Sequence, residues 1–128
     1  LLALARSPYG VVREMAETRA LMRGLLSEID AVASRLGILR DPGLVDETMA
    51  LIDSYPYDSV SSLTRDVMEG RPSEIEYQNG TVVRLAAELG IEVPNNRFVH
   101  GCILPMERAA RAPGAGLAGA RASQGGRP

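Results

Sequence analysis

Residues 17–37 read ETRALMRGLLSEIDAVASRLG. Met22, Leu25, Leu26, Ile29, Val32, Ala33 and Leu36 recur at steps of three and four, the spacing that lines one side of a helix. Glu17 or Thr18 opens this run, and Gly37 closes it as a left-handed cap. No strand-like alternation of useful length occurs elsewhere, so the reading is an all-α fold, a bundle of several helices.

Working outward from that helix, Ser7-Pro8-Tyr9-Gly10 marks a turn before it. Asp41-Pro42 after it reads as an N-cap followed by proline at the first helical position. Leu44, Met49, Leu51 and Ile52 then make a second stripe that ends before Pro56. A short helix follows Ser61-Ser62 and stops at Gly70. Ser73 and Glu76 fit the S-x-x-E capping box. The helix it opens carries Ile75, Val82, Val83, Ala86 and Leu89 on its buried side and ends at Gly90. Gly80 within it costs about 1 kcal/mol relative to alanine and marks a close helix crossing. Pro94-Asn95 opens a last helix with Phe98, Val99, Cys102, Ile103 and Met106 inward and a kink at Pro105. Residues 112–128 are rich in Ala, Gly, Pro and Arg and are expected to be disordered. The ordered domain is therefore residues 1–111.

The chain has 128 residues, 45% hydrophobic and 4% aromatic, with no tryptophan. Its core must consequently be aliphatic. A net charge of −2 gives no electrostatic pull toward nucleic acid. All fourteen basic residues are arginine, which excludes a lysine Schiff base or lysine acid within this chain. The single cysteine, Cys102, excludes an internal disulfide and points to a reducing, cytoplasmic setting. No apolar run approaches the ~20 residues that span a bilayer. The start, LLALARSPYG, has neither an initiator Met nor a signal-peptide pattern and enters in mid-helix, as expected of a C-terminal piece of a longer protein.

The residues with chemistry to offer cluster in SSLTRDVMEGRPSEIEYQNG, residues 61–80. Ser62 has an ordinary account as a helix N-cap and a functional one as a hydroxyl offered to an anion or a ligand hydroxyl. Glu74 reads either as a solvated first-turn acid or as an acceptor for a sugar or substrate hydroxyl. Arg65, Asp66 and Arg71 are expected to form surface ion pairs. His100, the only histidine, excludes a multi-histidine metal site and is expected on a solvated face; Cys102 is expected in the core. No metal site is expected, and no complete catalytic constellation is present.

The same stretch closely resembles the signature Ser-Ser-Met-x-x-Asp-x-x-x-Gly-Arg-x-Thr-Glu-Ile-Asp near the end of ketopantoate reductases. Ser61, Ser62, Asp66, Gly70, Arg71, Glu74, Ile75 and Gly80 carry the match, and the likeness extends over residues 1–111. The resemblance implies the helical C-terminal domain of this 6-phosphogluconate dehydrogenase-like group, which closes over a 2-keto acid and supports dimerisation. It implies that a Rossmann domain outside this chain binds NADPH and that hydride passes to the keto carbon of 2-dehydropantoate, on the route to coenzyme A. It gives Ser62 to the substrate and Glu74 to the cofactor, while Tyr9 stands where some members carry a substrate-contacting asparagine. The family's proton-donor lysine and its asparagines have no counterpart here, so the chain alone is expected to be inactive. Two other readings stay open: a non-catalytic helical interaction module, and a related reductase for another branched 2-keto acid.

Overall fold

The computed structural model describes residues 1–38 and 41–113. Among them the fold is all-α, with seven helices: α1 (Leu2–Ala5), α2 (Tyr9–Glu14), α3 (Ala16–Arg35), α4 (Leu44–Ser54), α5 (Ser62–Met68), α6 (Asn79–Leu89) and α7 (Pro94–Arg111). The two long helices are the scaffold. α3 packs on α2, α4, α6 and α7, while α7 also holds α1 and α5. The disorder expected for the tail concerns residues that lie, from 114 onward, outside the described ones.

The α3 stripe is there, but only part of it is covered. Met22 and Val32 are buried, whereas Ile29 and Leu36 are exposed. Thr18 lies inside the helix and does not open it; its hydroxyl donates to the Val12 and Met15 carbonyls, tying α3 to the end of α2. Gly37 ends the helix as expected. At φ +71 it lets its own amide reach the Ser34 carbonyl and the Ile38 amide reach that of Ala33, each at 3.1 Å.

α4 starts later than Asp41-Pro42 suggests. Asp41, Pro42 and Gly43 form a turn, closed by the Leu44 amide on the Asp41 carbonyl at 3.0 Å. Gly43 at φ −88, ψ 2 sits where the third residue of a type I turn belongs. Asp-Pro-Gly is as strong a turn signal as a cap signal, and the turn prevails. Of the expected stripe, Met49 is buried, Ile52 half-buried, and Leu44 and Leu51 are exposed. Arg13 of α2 donates to the Ile52 and Tyr55 carbonyls at 3.0 and 2.7 Å, satisfying the helix's free end.

α7 is turned away from its apolar pattern. Asn96, Val99, Ile103 and Glu107 face inward; Phe98, Cys102 and Met106 are exposed. Two polar side chains can occupy the core because both are bonded. Asn96 donates to Glu28 Oε2 at 2.7 Å and accepts from Asn79 at 2.9 Å. Glu28, reaching across from α3, also takes the backbone amides of Asn95 and Asn96 at 2.8 and 2.9 Å. It thereby caps α7, whose own N-cap, Val93, has no side chain for that work. α7 runs through Pro105 as a single element.

Candidate functional site

The two serines of the quoted connection divide their labour differently from the expected arrangement. Ser61, extended at φ −73, ψ 159, is the N-cap of α5, its hydroxyl accepting the Thr64 amide at 3.2 Å. Ser62 is the first helical residue, exposed, and its hydroxyl has no partner among the described residues. Gly70, at φ +68, ends α5 and lets the Arg71 amide reach the Asp66 carbonyl at 2.8 Å. The Arg71 guanidinium folds back onto the Asp66 carboxylate, at 2.9 Å, and onto Glu69. Arg65 forms no ion pair among the described residues.

The expected capping box does not form. Residues 74–78 are bend and turn, and α6 begins only at Asn79. Ser73 is buried; its amide and hydroxyl both donate to Glu107 Oε2, at 2.8 and 2.7 Å. Arg111 binds the other Glu107 oxygen and the Ser73 carbonyl. Burial pushes the Glu107 pKa up, but the Ser73 hydroxyl and amide, with Arg111, outweigh it and hold the carboxyl below its ordinary value. Ile75 is fully buried against Val99 and Ile103.

Glu76 turns toward α7, where His100 Nε2 lies 3.2 Å from its Oε2, with Arg84 at 3.6 Å. His100 is thus not on a solvated face: its side chain is 16% exposed. Gly80 lies beneath this pair; the atoms nearest to a Cβ there are side-chain ends and not the backbone of a crossing helix, so the expected close crossing is not what keeps it glycine. A Cβ there would stand 2.7 Å from the Glu76 carboxylate and 3.2 Å from His100 Nε2. Glu74, between the held residues, is exposed and has no side-chain partner among the described residues.

A cavity of about 280 Å³ opens beside the connection. Its walls are mainly aliphatic, with Tyr9, Ser61, Thr64, Gln78 and Asn79 as polar members. Tyr9 packs edge-on against Tyr55, ring centres 4.9 Å apart; burial, then the Tyr55 neighbour, raises its pKa. Neither Ser62 nor Glu74 lines this cavity. Both lie on the outer surface, at the beginning of α5 and just ahead of α6. No group of three or more His, Cys, Asp or Glu suited to a metal occurs among the described residues. No helix among them is long and apolar enough to cross a membrane.

Sequence reasoning missed Glu28, Asn96 and Glu107, the polar groups that hold this region. The available signals were an Asn pair just after a helix-opening proline and a Glu one turn before Arg111. Neither names its distant partner.

Against known proteins, the family described as ketopantoate reductase PanE/ApbA C terminal matches residues 1–107. The chain is 30% identical over 105 residues to a 2-dehydropantoate 2-reductase of Pyrobaculum aerophilum, covering 82% of this chain and 37% of that protein. It is 33% identical over 94 residues to a 2-dehydropantoate 2-reductase of Mycobacterium tuberculosis, covering 73% and 30%. Among solved structures, a dimeric ketopantoate reductase from Staphylococcus aureus matches with a TM-score of 0.80 at 25% identity, covering 85% of this chain and 38% of that one. The chain therefore spans 30% to 38% of the length of these relatives.

Proposed function

The chain belongs to the ketopantoate reductase PanE/ApbA C-terminal family, and on that premise we propose that it is the helical substrate-side domain of an NADPH-dependent 2-dehydropantoate 2-reductase. The carrying observation is that the fold uses Ser61 and Ser73 of this stretch and leaves Ser62 and Glu74 exposed. Ser61 caps α5 and Ser73 is bound by Glu107, so capping accounts for neither Ser62 nor Glu74. An exposed hydroxyl and an exposed carboxylate, each without a partner among the described residues, are what a cleft wall offers before a second domain closes on it.

In this reading Ser62 donates a hydrogen bond to the 2-keto acid. Glu74 accepts one from a ribose hydroxyl of the cofactor; a carboxylate suits that task because hydrogen bonds to an ionised acceptor are the stronger kind. Bound NADPH supplies the hydride for the keto carbon. The proton for the resulting alkoxide comes from outside this chain, which has no lysine, whose arginines stay protonated, and whose one histidine is bound to Glu76. By itself the chain binds and orients but does not reduce. The exposed thiol of Cys102 fits a reducing, cytoplasmic setting. A homodimer is the assembly proposed, as in the dimeric relative.

The test is kinetic, on the intact reductase that carries this domain. Ser62→Ala is expected to raise the KM for ketopantoate about tenfold or more, with that for NADPH nearly unchanged; Glu74→Ala is expected to do the reverse. Normal constants for both substrates in both variants reject the assignment.

A further inference from the structure

Three residues on one side of α7 grip the connection that carries Glu74. Glu107 binds Ser73, Ile103 packs in the cluster that buries Ile75, and His100 meets Glu76 at 3.2 Å. Positions 100, 103 and 107 are three and four apart, so they form one stripe on the helix. Glu74 projects from between the residues they hold.

We infer that His100 is a positioning residue: through Glu76 it sets where the Glu74 carboxylate lies, and so tunes the affinity for cofactor. The inference rests on the reading of Glu74 as the cofactor-side carboxylate. Three observations carry it. The His100–Glu76 bond joins residues 24 apart in sequence and ties the turn to a long, rigid helix. The imidazole is held by its surroundings, being 16% exposed where Glu76 is 42% exposed. Finally, position 80 is a glycine, and a Cβ there would crowd both partners, at 2.7 Å from Glu76 Oε2 and 3.2 Å from His100 Nε2. The other charged group facing the pair, Arg84, belongs to α6, as does Thr81; they donate to the Glu76 carbonyl at 3.3 and 3.4 Å. Those bonds fix the turn to its own following helix. His100 is what fixes the Glu76 end of it to α7.

The experiment uses the intact reductase, with NADPH affinity read by fluorescence titration beside the two KM values, kcat and the melting temperature. His100→Phe keeps a planar aromatic ring, slightly larger, and removes the donor. It is expected to weaken NADPH binding about fivefold while the ketoacid KM stays within about twofold, because Ser62 sits on a different helix. His100→Gln, which returns an N–H at similar reach, is expected to restore affinity to within about twofold of the parent. A pair that served only stability would lower the melting temperature and leave NADPH affinity alone. Unchanged affinity in His100→Phe, in an enzyme where Glu74→Ala does weaken NADPH, overturns the positioning role and spares the Glu74 assignment. Unchanged affinity in Glu74→Ala overturns both. If His100→Phe fails to fold, Glu76→Ala carries the same decision, since it removes the acceptor from a half-exposed position.

Discussion

Glu107 brings a charge into the core, and the bonds around it decide whether that is tolerable. Ser73 supplies two donors and Arg111 a third, so its carboxylate is favoured in the fold. A group whose pKa is lowered on folding adds stability that is fully present above its unfolded value, about 4.3 for glutamate, and that is lost as pH falls through the folded value. Urea midpoints measured from neutral pH downward are therefore expected to fall less steeply for Glu107→Gln than for the parent chain once pH drops below that point. At neutral pH, Glu107→Ala is expected to cost about 2–3 kcal/mol, because it strands the buried Ser73 amide and hydroxyl. None of this was visible locally. One turn before Arg111, Glu107 looks like half of a solvent-facing pair, and Ser73 arrives from 34 positions upstream. The Ser61-Ser62 pair shows the same limit on a smaller scale. Either serine can cap a helix; the backbone decides, and it is Ser61 that adopts the extended conformation a cap needs.

Helices were legible wherever a long apolar period met a clear stop. α3 has both, and its end at Gly37 follows from a residue that adopts positive φ without strain. Starts were harder to read, since each one is settled by competition between local signals or by a distant side chain. At α4 the Asp-Pro-Gly turn took the place of a cap, and at α6 a buried Ser73 bound Glu107 and not its own helix. The rotation of α7 has the same origin. A hydrophobic pattern sees Phe98, Cys102 and Met106, but the bonded Asn96 and Glu107 claim the core-facing positions. Glu28 is the element-scale control of that arrangement, since it accepts two backbone amides and two side-chain amides at the start of α7. Glu28→Ala is expected to destabilise the fold by about 2–3 kcal/mol, the loss of a cap together with charge-assisted bonds. Hydrogen exchange is expected to locate the damage, with the amides of Asn95, Asn96 and Arg97 losing protection before those of α3. Unaltered exchange at these three would place the helix start under other control.

At the scale of the whole molecule, the all-α class was readable from a handful of spacings and the family from the likeness of residues 61–80 to a known signature, while the uncovered surface was readable only as a consequence. Once the chain is taken as one side of a two-domain enzyme, some apolar side chains must lack their covering. Phe98 is 67% exposed and Leu21 43%, and between them runs a shallow apolar groove of about 30 Å³ shared with Leu1, Leu25 and Val99. Asn95 is its one polar wall. A second copy, or the nucleotide-binding domain proposed above, has an apolar incentive of about 25 cal/mol per Å² to occupy such a surface. The isolated chain is therefore expected to self-associate, with a sedimentation coefficient that rises with protein concentration. High salt is not expected to dissolve the association, since screening weakens exposed charge pairs and leaves apolar contact intact. Phe98→Ser combined with Leu21→Ser is expected to return the chain to a monomer at a modest cost in stability, since Phe98 is mostly in water already and Leu21 is covered over little more than half its surface. A chain that sediments as a monomer at every concentration, before any substitution, would mean that this surface is stable uncovered and that the domain interface lies elsewhere.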